Sequence, residues 1–258
     1  MKYLDSFRNA FYSTIAYRGN FLLRLVTIFL QIMVAVFMWQ TVFRFSGKGD
    51  IAGISRVQMT YYLIIVNLLS LIFSTSLIFK FSQLVRSGNL TILILRPVKL
   101  LIQALFAYVG LSFPYLIIYG FVLVVSSESS SRSFTEILMT LGLFAIIYIT
   151  FFLLITAMSL VSFWLIQVWP MRPVINALFM LLGGQAFPLQ VLPSSFHWLE
   201  YTPFALAGNQ LALLSLGKVS SVQMLLIFLS SISWSLVFLV LIKGLWHKGI
   251  HAYEGVGS

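Results

Sequence analysis

Ile137-Leu-Met-Thr-Leu-Gly-Leu-Phe-Ala-Ile-Ile-Tyr-Ile-Thr-Phe-Phe-Leu-Leu-Ile-Thr-Ala-Met-Ser-Leu-Val-Ser-Phe-Trp-Leu-Ile-Gln167 runs without one charged side chain, and its reading decides the fold. A helix needs about 20 mostly apolar residues to cross about 30 Å of hydrocarbon at about 1.5 Å per residue. This stretch is longer than a crossing requires, which predicts tilting or projection into water. Working outward, Phe21–Phe43, Thr60–Phe79, Leu100–Val125, Val174–Phe187 and Val222–Ile242 read the same way. Val174–Phe187 is the weakest of them, being short and running into Gly183-Gly184 and then Pro188. The prediction is an all-α polytopic membrane protein with six transmembrane helices, a single domain over residues 1–258.

Composition agrees. The 258 residues are 60% hydrophobic and 9% charged, against about 45–50% and about 25% in soluble domains. So few charges cannot solvate a globule of this length. A soluble enzyme, a disordered chain and a secreted disulfide scaffold are excluded, and with no Cys there is neither a disulfide nor a thiolate metal site. The net charge of +10 would suggest nucleic acid in a soluble protein. Here the basic residues border the apolar runs, so they read as orienting the chain among membrane lipids, with no nucleic-acid partner. Lys2, Arg8, Arg18 and Arg24, then Lys80, Arg86, Arg96 and Lys99, fall on one side and predict cytoplasmic termini. Met1 to Arg18 does not read as a cleavable signal, since it lacks an apolar core and carries Asp5, Arg8 and Asn9.

Within residues 2–17, Leu4, Phe7, Phe11 and Ile15 recur at helical spacing with Asp5, Arg8, Asn9 and Ser13 between them. That pattern predicts an amphipathic helix lying in the membrane interface. The loop 80–99 holds Ser87-Gly88-Asn89, a helix stop and turn, and Arg96-Pro97, which ends the apolar stretch after it. A short helix with basic flanks follows, readable as a docking knob or as an interfacial helix without a partner. Residues 183–217, from Gly183-Gly-Gln-Ala-Phe-Pro-Leu-Gln-Val-Leu-Pro193 to Gly217, are too apolar for an ordinary loop and too broken to span. They predict a re-entrant hairpin from the outer face and then an amphipathic helix around Asn209–Leu216. Phe187, Pro188, Leu189, Leu192 and Phe196 would form an outer gate. A lipid-facing loop with Trp198 and Tyr201 as belt residues is the other reading.

Catalytic chemistry is not written in the chain. Gly-x-x-x-x-Gly-Lys-Ser/Thr, His-Glu-x-x-His and Gly-x-Ser-x-Gly are all absent. His247 and His251 share a four-residue spacing without a carboxylate motif, so no metal site is expected. No Asp, Glu, Lys or His lies mid-span, whereas an ion-coupled carrier needs an ionisable group there. The spans hold neutral Asn67, Ser70, Thr156, Ser159, Asn176 and Ser231 instead. Either these hydrogen-bond between helices or they line a route for an amphipathic substrate. Energy for transport would then come from another subunit. A membrane anchor recruiting a cytoplasmic partner, and a lipid transferase using Glu136, Glu200 or His197, are the alternatives.

Three motifs carry a resemblance across nearly the whole chain. They are Gly88-Asn-Leu-Thr-Ile-Leu-Ile-Leu-Arg-Pro97; Pro188-Leu-Gln-Val-Leu-Pro193 with Thr202-Pro-Phe204 and Gly217; and Trp246-His-Lys-Gly249 with Ala252-Tyr-Glu-Gly-Val-Gly257. In these the sequence resembles the permease subunits of type-2 ATP-binding-cassette exporters, in particular a bacterial subfamily pairing two six-span permeases with an ATPase. Asn209 and Gln210 depart from it, standing roughly where the subfamily often has Pro. The resemblance implies a multi-pass protein of the bacterial inner membrane that works with a second permease, identical or homologous, and two ATPase subunits. Residues 2–17 would be the connecting helix. Residues 80–99 would be the coupling helix, with Arg86, Gly88, Asn89, Leu90, Arg96 and Pro97 meeting the ATPase. ATP and Mg would sit on that partner, leaving this chain without a cofactor. Cargo in such families ranges over drugs, peptides, lipids and polysaccharides.

Overall fold

The computed structural model describes residues 2–47, 49–51, 53–95, 98–129, 134–165 and 167–253. Helix α1 spans Lys2–Ala16. Its expected stripe divides: Phe7 and Phe11 meet Phe113 edge-on at 5.4 and 5.5 Å, and Tyr3 stacks on Phe106 at 5.8 Å. Leu4 and Ile15 are exposed, as suits a helix with one face on protein and another towards lipid. Helix α2, Arg18–Ser46, buries little beyond Ile28, Trp39 and Phe43 and is apolar all round. Such a helix needs hydrocarbon about it. It stops at Gly47, whose φ of 62° puts it in the left-handed region that ends helices.

A two-residue ribbon pairs β1, Asp50–Ile51, with β2, Ile54–Ser55. Ser55 and Gln58 form a capping box that starts α3, Arg56–Ile72. After a break, α4 continues over Ser76–Arg86 and the short α5 over Leu90–Ile94. The sequence expects a stop at Ser87-Gly88-Asn89, and Gly88 makes that turn with φ 73°. Helices α6, Leu100–Ser129, and α7, Phe134–Leu160, follow, then α8, Arg172–Leu182. Beyond α8 the chain turns irregularly to α9, Pro203–Ala205, a π-turn over Leu206–Gln210 and α10, Leu211–Ser215. Ser220 and Gln223 then cap α11, Ser221–Ala252.

Five helical segments among the described residues are long and apolar enough to cross a bilayer: Arg18–Ser46, Arg56–Arg86, Leu100–Val124, Phe134–Phe163 and Ser221–Ala252. Where the sequence expects a further span over Val174–Phe187, α8 has 11 residues. That is about 16 Å of helix, roughly half the hydrocarbon thickness. It ends because Gly184 turns left-handed, with φ 78°.

The core lies among α3, α7 and the helical run from α9 to α10. Tyr62, Leu63, Ile65, Val66, Leu69, Phe151 and Ile155 are fully buried. So are Ala205, Leu206, Ala207, Leu211, Ala212 and Leu214. The helix expected to be amphipathic around Asn209–Leu216 is instead covered on every side, because it threads between the long helices. A Cβ on Gly208 would collide with the Gly183 carbonyl, so the two backbones pass in direct contact.

Candidate functional site

Two regions at opposite ends of the bundle hold the residues singled out by the sequence. At the end with the β-ribbon, the hairpin 183–217 is tied into the core by polar side chains. The Tyr62 phenol lies 2.9 Å from the Gly184 carbonyl and 2.8 Å from Asn209 Oδ1. Its single proton is shared between these two acceptors. The Leu189 amide N–H donates to the same Asn209 Oδ1 at 3.1 Å. Because an N–H needs an acceptor, this fixes which way the Asn209 amide points and leaves its Nδ2 buried with no protein partner. Trp39 Nε1 donates to the Ala186 carbonyl at 3.1 Å, and Trp234 Nε1 to the Tyr201 carbonyl at 2.9 Å. With Tyr62, three spans are thus bonded directly to hairpin backbone.

Glu200 is the buried acid of this knot, 8% exposed, and Gln210 Nε2 donates to its Oε2 at 3.2 Å. A carboxylate at such a depth needs its hydrogen bonds. The neighbouring Tyr201 phenol is pushed above its ordinary pKa by burial first and by the Glu200 charge second. Gln210 lies in the π-turn, and a π-turn displaces side chains from the helical register.

The five expected gate residues differ in burial. Leu189 is fully buried, Pro188 is buried, Phe187 and Leu192 are half-buried, and Phe196 is exposed. The side-chain hydrogen bonds of this knot run through Tyr62, Asn209, Glu200 and Gln210, none of which the sequence assigns to the gate. Asn209-Gln210 does stand out in the sequence, as two amides where the resembled subfamily often has Pro. Between the hairpin and α11 lies an open groove of about 340 Å³, walled by Trp198, Tyr201, Leu226, Leu229, Ser233 and Trp234.

At the other end, Arg86 and Asn89 are exposed, Gly88 is half-buried and Leu90 is fully buried. Leu90 therefore anchors α5, while Ile92, Ile94 and Leu95 are exposed beyond it. Arg96 and Pro97 lie outside the described residues. Thr91 Oγ1 lies 3.3 Å from Tyr253 Oη, at the end of α11. Phe163 packs its ring against Phe81, Trp246 and Tyr253 at 5.6, 6.0 and 6.1 Å. One aromatic cluster thus joins α4, the turn after α7 and the end of α11.

The neutral residues of the spans are occupied locally. Asn67 Nδ2 donates to the Leu63 carbonyl, Ser70 to Asn67, Thr156 to Phe152, Ser159 to Thr156 and Ser231 to Ile227. These bonds stay within single helices, while Asn176 is exposed on α8. Other hydroxyls join the helices: Thr150 meets the Ser231 carbonyl at 3.1 Å and Ser235 Oγ at 2.8 Å, Ser112 Oγ donates to the Ile72 carbonyl at 2.8 Å, and Tyr119 Oη lies 2.7 Å from Ser215 Oγ. Among the described residues no group of three His, Cys, Asp or Glu is placed to hold a metal. The His247 and His251 rings lie 5.0 Å apart on α11.

A model of the ABC-2 family transporter proteins matches residues 25–257. No curated protein and no solved structure matches the chain.

Proposed function

The chain belongs to the ABC-2 family of transporter proteins, and from that premise we propose that it is the permease of an exporter worked by a separate ATP-binding-cassette ATPase. One observation carries the proposal. α5 hangs between two spans on a buried Leu90, with Ile92, Ile94 and Leu95 exposed and Arg86 and Lys99 beside it. An apolar knob with cationic flanks suits a groove on a water-soluble partner. In this reading Arg86, Gly88, Asn89, Leu90, Arg96 and Pro97 meet the ATPase, and ATP and Mg belong to that partner.

The working unit pairs two permeases with two ATPases in the bacterial inner membrane, with the α5 end and both termini in the cytoplasm. α8 and the returning α9–α10 run complete a sixth membrane segment, so that the hairpin enters from the outer face as a gate. Its inward side is closed by Phe187, Pro188 and Leu189, and its rim is made by Leu192 and Phe196. Cargo is amphipathic or hydrophobic, passing between two permeases along faces that include Asn176.

The test is Arg86→Glu combined with Arg96→Glu in the complex assembled with its ATPase. The variant inserts normally but no longer co-purifies with the ATPase or stimulates its turnover. Unchanged stimulation overturns the assignment.

A further inference from the structure

His247 and His251 stand one turn apart near the end of α11, and both are exposed. Their spacing alone carries no metal expectation, since no carboxylate motif goes with it. The structure adds three observations. The two rings meet edge to face with their centroids 5.0 Å apart. Among the described residues neither ring has a hydrogen bond or an ion pair to protein, so each neutral imidazole keeps a nitrogen lone pair free. Gly249, between them in sequence, is buried where a Cβ would run into the Phe163 ring. Two residues on, at about 100° per residue, it lies on the far side of the helix from His247. The same turn is therefore held by protein on one side and presents two imidazoles on the other.

The separation of the rings fits a shared ion. Two imidazoles bound at about 2.1 Å, with an angle between about 90° and about 109° at the metal, hold their ring centres about 4.6–5.3 Å apart. The donors select the kind of ion. Neutral nitrogen suits zinc, nickel and copper, whereas calcium and magnesium seek oxygen. Lys243, one turn before His247 on the same face, adds a positive charge that only a tightly held ion overcomes.

We propose that His247 and His251 form a two-histidine chelate for a divalent transition-metal ion of the zinc, nickel and copper group, with water in the remaining positions. The ion clasps the turn of α11 that rests on Phe163. It thus stiffens the helix end that reaches Thr91 of α5 through Tyr253, without occupying the exposed face of α5.

The experiment uses the full chain purified in detergent without a polyhistidine tag, stripped of metal, and titrated with zinc chloride against a chromophoric zinc indicator. One zinc binds per chain. His247→Gln and His251→Gln each weaken binding by at least about ten-fold, because a single imidazole loses the gain of chelation. Both side chains are exposed, so the variants fold, and His197→Gln in the hairpin leaves the affinity unchanged. His251→Ala combined with Ala252→His keeps two histidines but breaks their one-turn spacing, and it binds as weakly as the single variants. Failure of the unaltered chain to bind zinc overturns the site. So does equal binding by both single variants, or full affinity in the shifted pair.

Discussion

The Tyr62 hydroxyl and the side-chain oxygen of Asn209 meet at 2.8 Å across 147 residues of sequence. Tyr62 belongs to a spanning helix and Asn209 to the π-turn of the hairpin, so this contact decides how firmly the hairpin is held. In Tyr62→Phe the ring still fits, but the hydroxyl is lost and the Gly184 carbonyl gives up that partner. Leaving a buried acceptor unsatisfied costs about 1–3 kcal/mol. The expected result is a fall of several degrees in the thermal midpoint of the detergent-purified protein. An unchanged midpoint would show that the knot contributes nothing.

Glu200 and Gln210 allow a sharper comparison. Glu200→Gln keeps an acceptor for the Gln210 amide and removes a buried charge, so stability changes by less than about 1 kcal/mol. Glu200→Ala strands the Gln210 amide and opens a gap, at a cost of about 1–3 kcal/mol. Unfolding measured side by side should rank the alanine variant clearly below the glutamine variant. Equal losses in the two variants would mean that the carboxylate charge itself, not its hydrogen bond, holds the hairpin.

Two glycines test the close approach. A methyl group on Gly208 meets the Gly183 carbonyl, whereas one on Gly120, within α6, meets nothing within 4 Å. Gly208→Ala must push α9–α10 away from the turn after α8 and should lower expression of folded protein sharply. Gly120→Ala should be neutral or stabilising by up to about 1 kcal/mol. Size-exclusion profiles and melting curves of the pair decide it, and equal behaviour would refute the packing described.

The spans were legible because apolar length is a one-dimensional property, and α2, α6 and α11 lie where Phe21–Phe43, Leu100–Val125 and Val222–Ile242 predict, while α7 covers Ile137–Gln167 only as far as Leu160. The turn at Gly88 was legible for the same local reason. The burial of the gate candidates was not, since bulk and apolarity single out Phe196 as readily as Leu189, while only the fold buries one and exposes the other. Glu200 stands in the sequence only as a candidate of the transferase alternative, because its partner Gln210 is brought against it by a helix that turns back into the core. Nor does the sequence separate a hydroxyl bonded within its own helix, as at Thr156, from one that joins two helices, as at Thr150.

Phe163 gives the last prediction, about how movement would leave α5. Its ring contacts α4 and the end of α11, and Thr91 of α5 reaches Tyr253 beside them. A Cβ on Gly249 would run into that ring, which is why α11 carries glycine where it passes Phe163. If an ATPase pushes on α5, displacement reaches α11 through this cluster, behind the docking surface and not on it. Gly249→Ala should therefore leave the ATPase bound but cut stimulated turnover by at least about half, an effect of a few tenths of a kcal/mol or more. Phe163→Leu in the Gly249→Ala background makes room for the new methyl and should restore part of the loss, a coupling visible in a double-mutant cycle. Strictly additive losses would show that the two residues do not act through each other, and full turnover in Gly249→Ala would remove the cluster from the path.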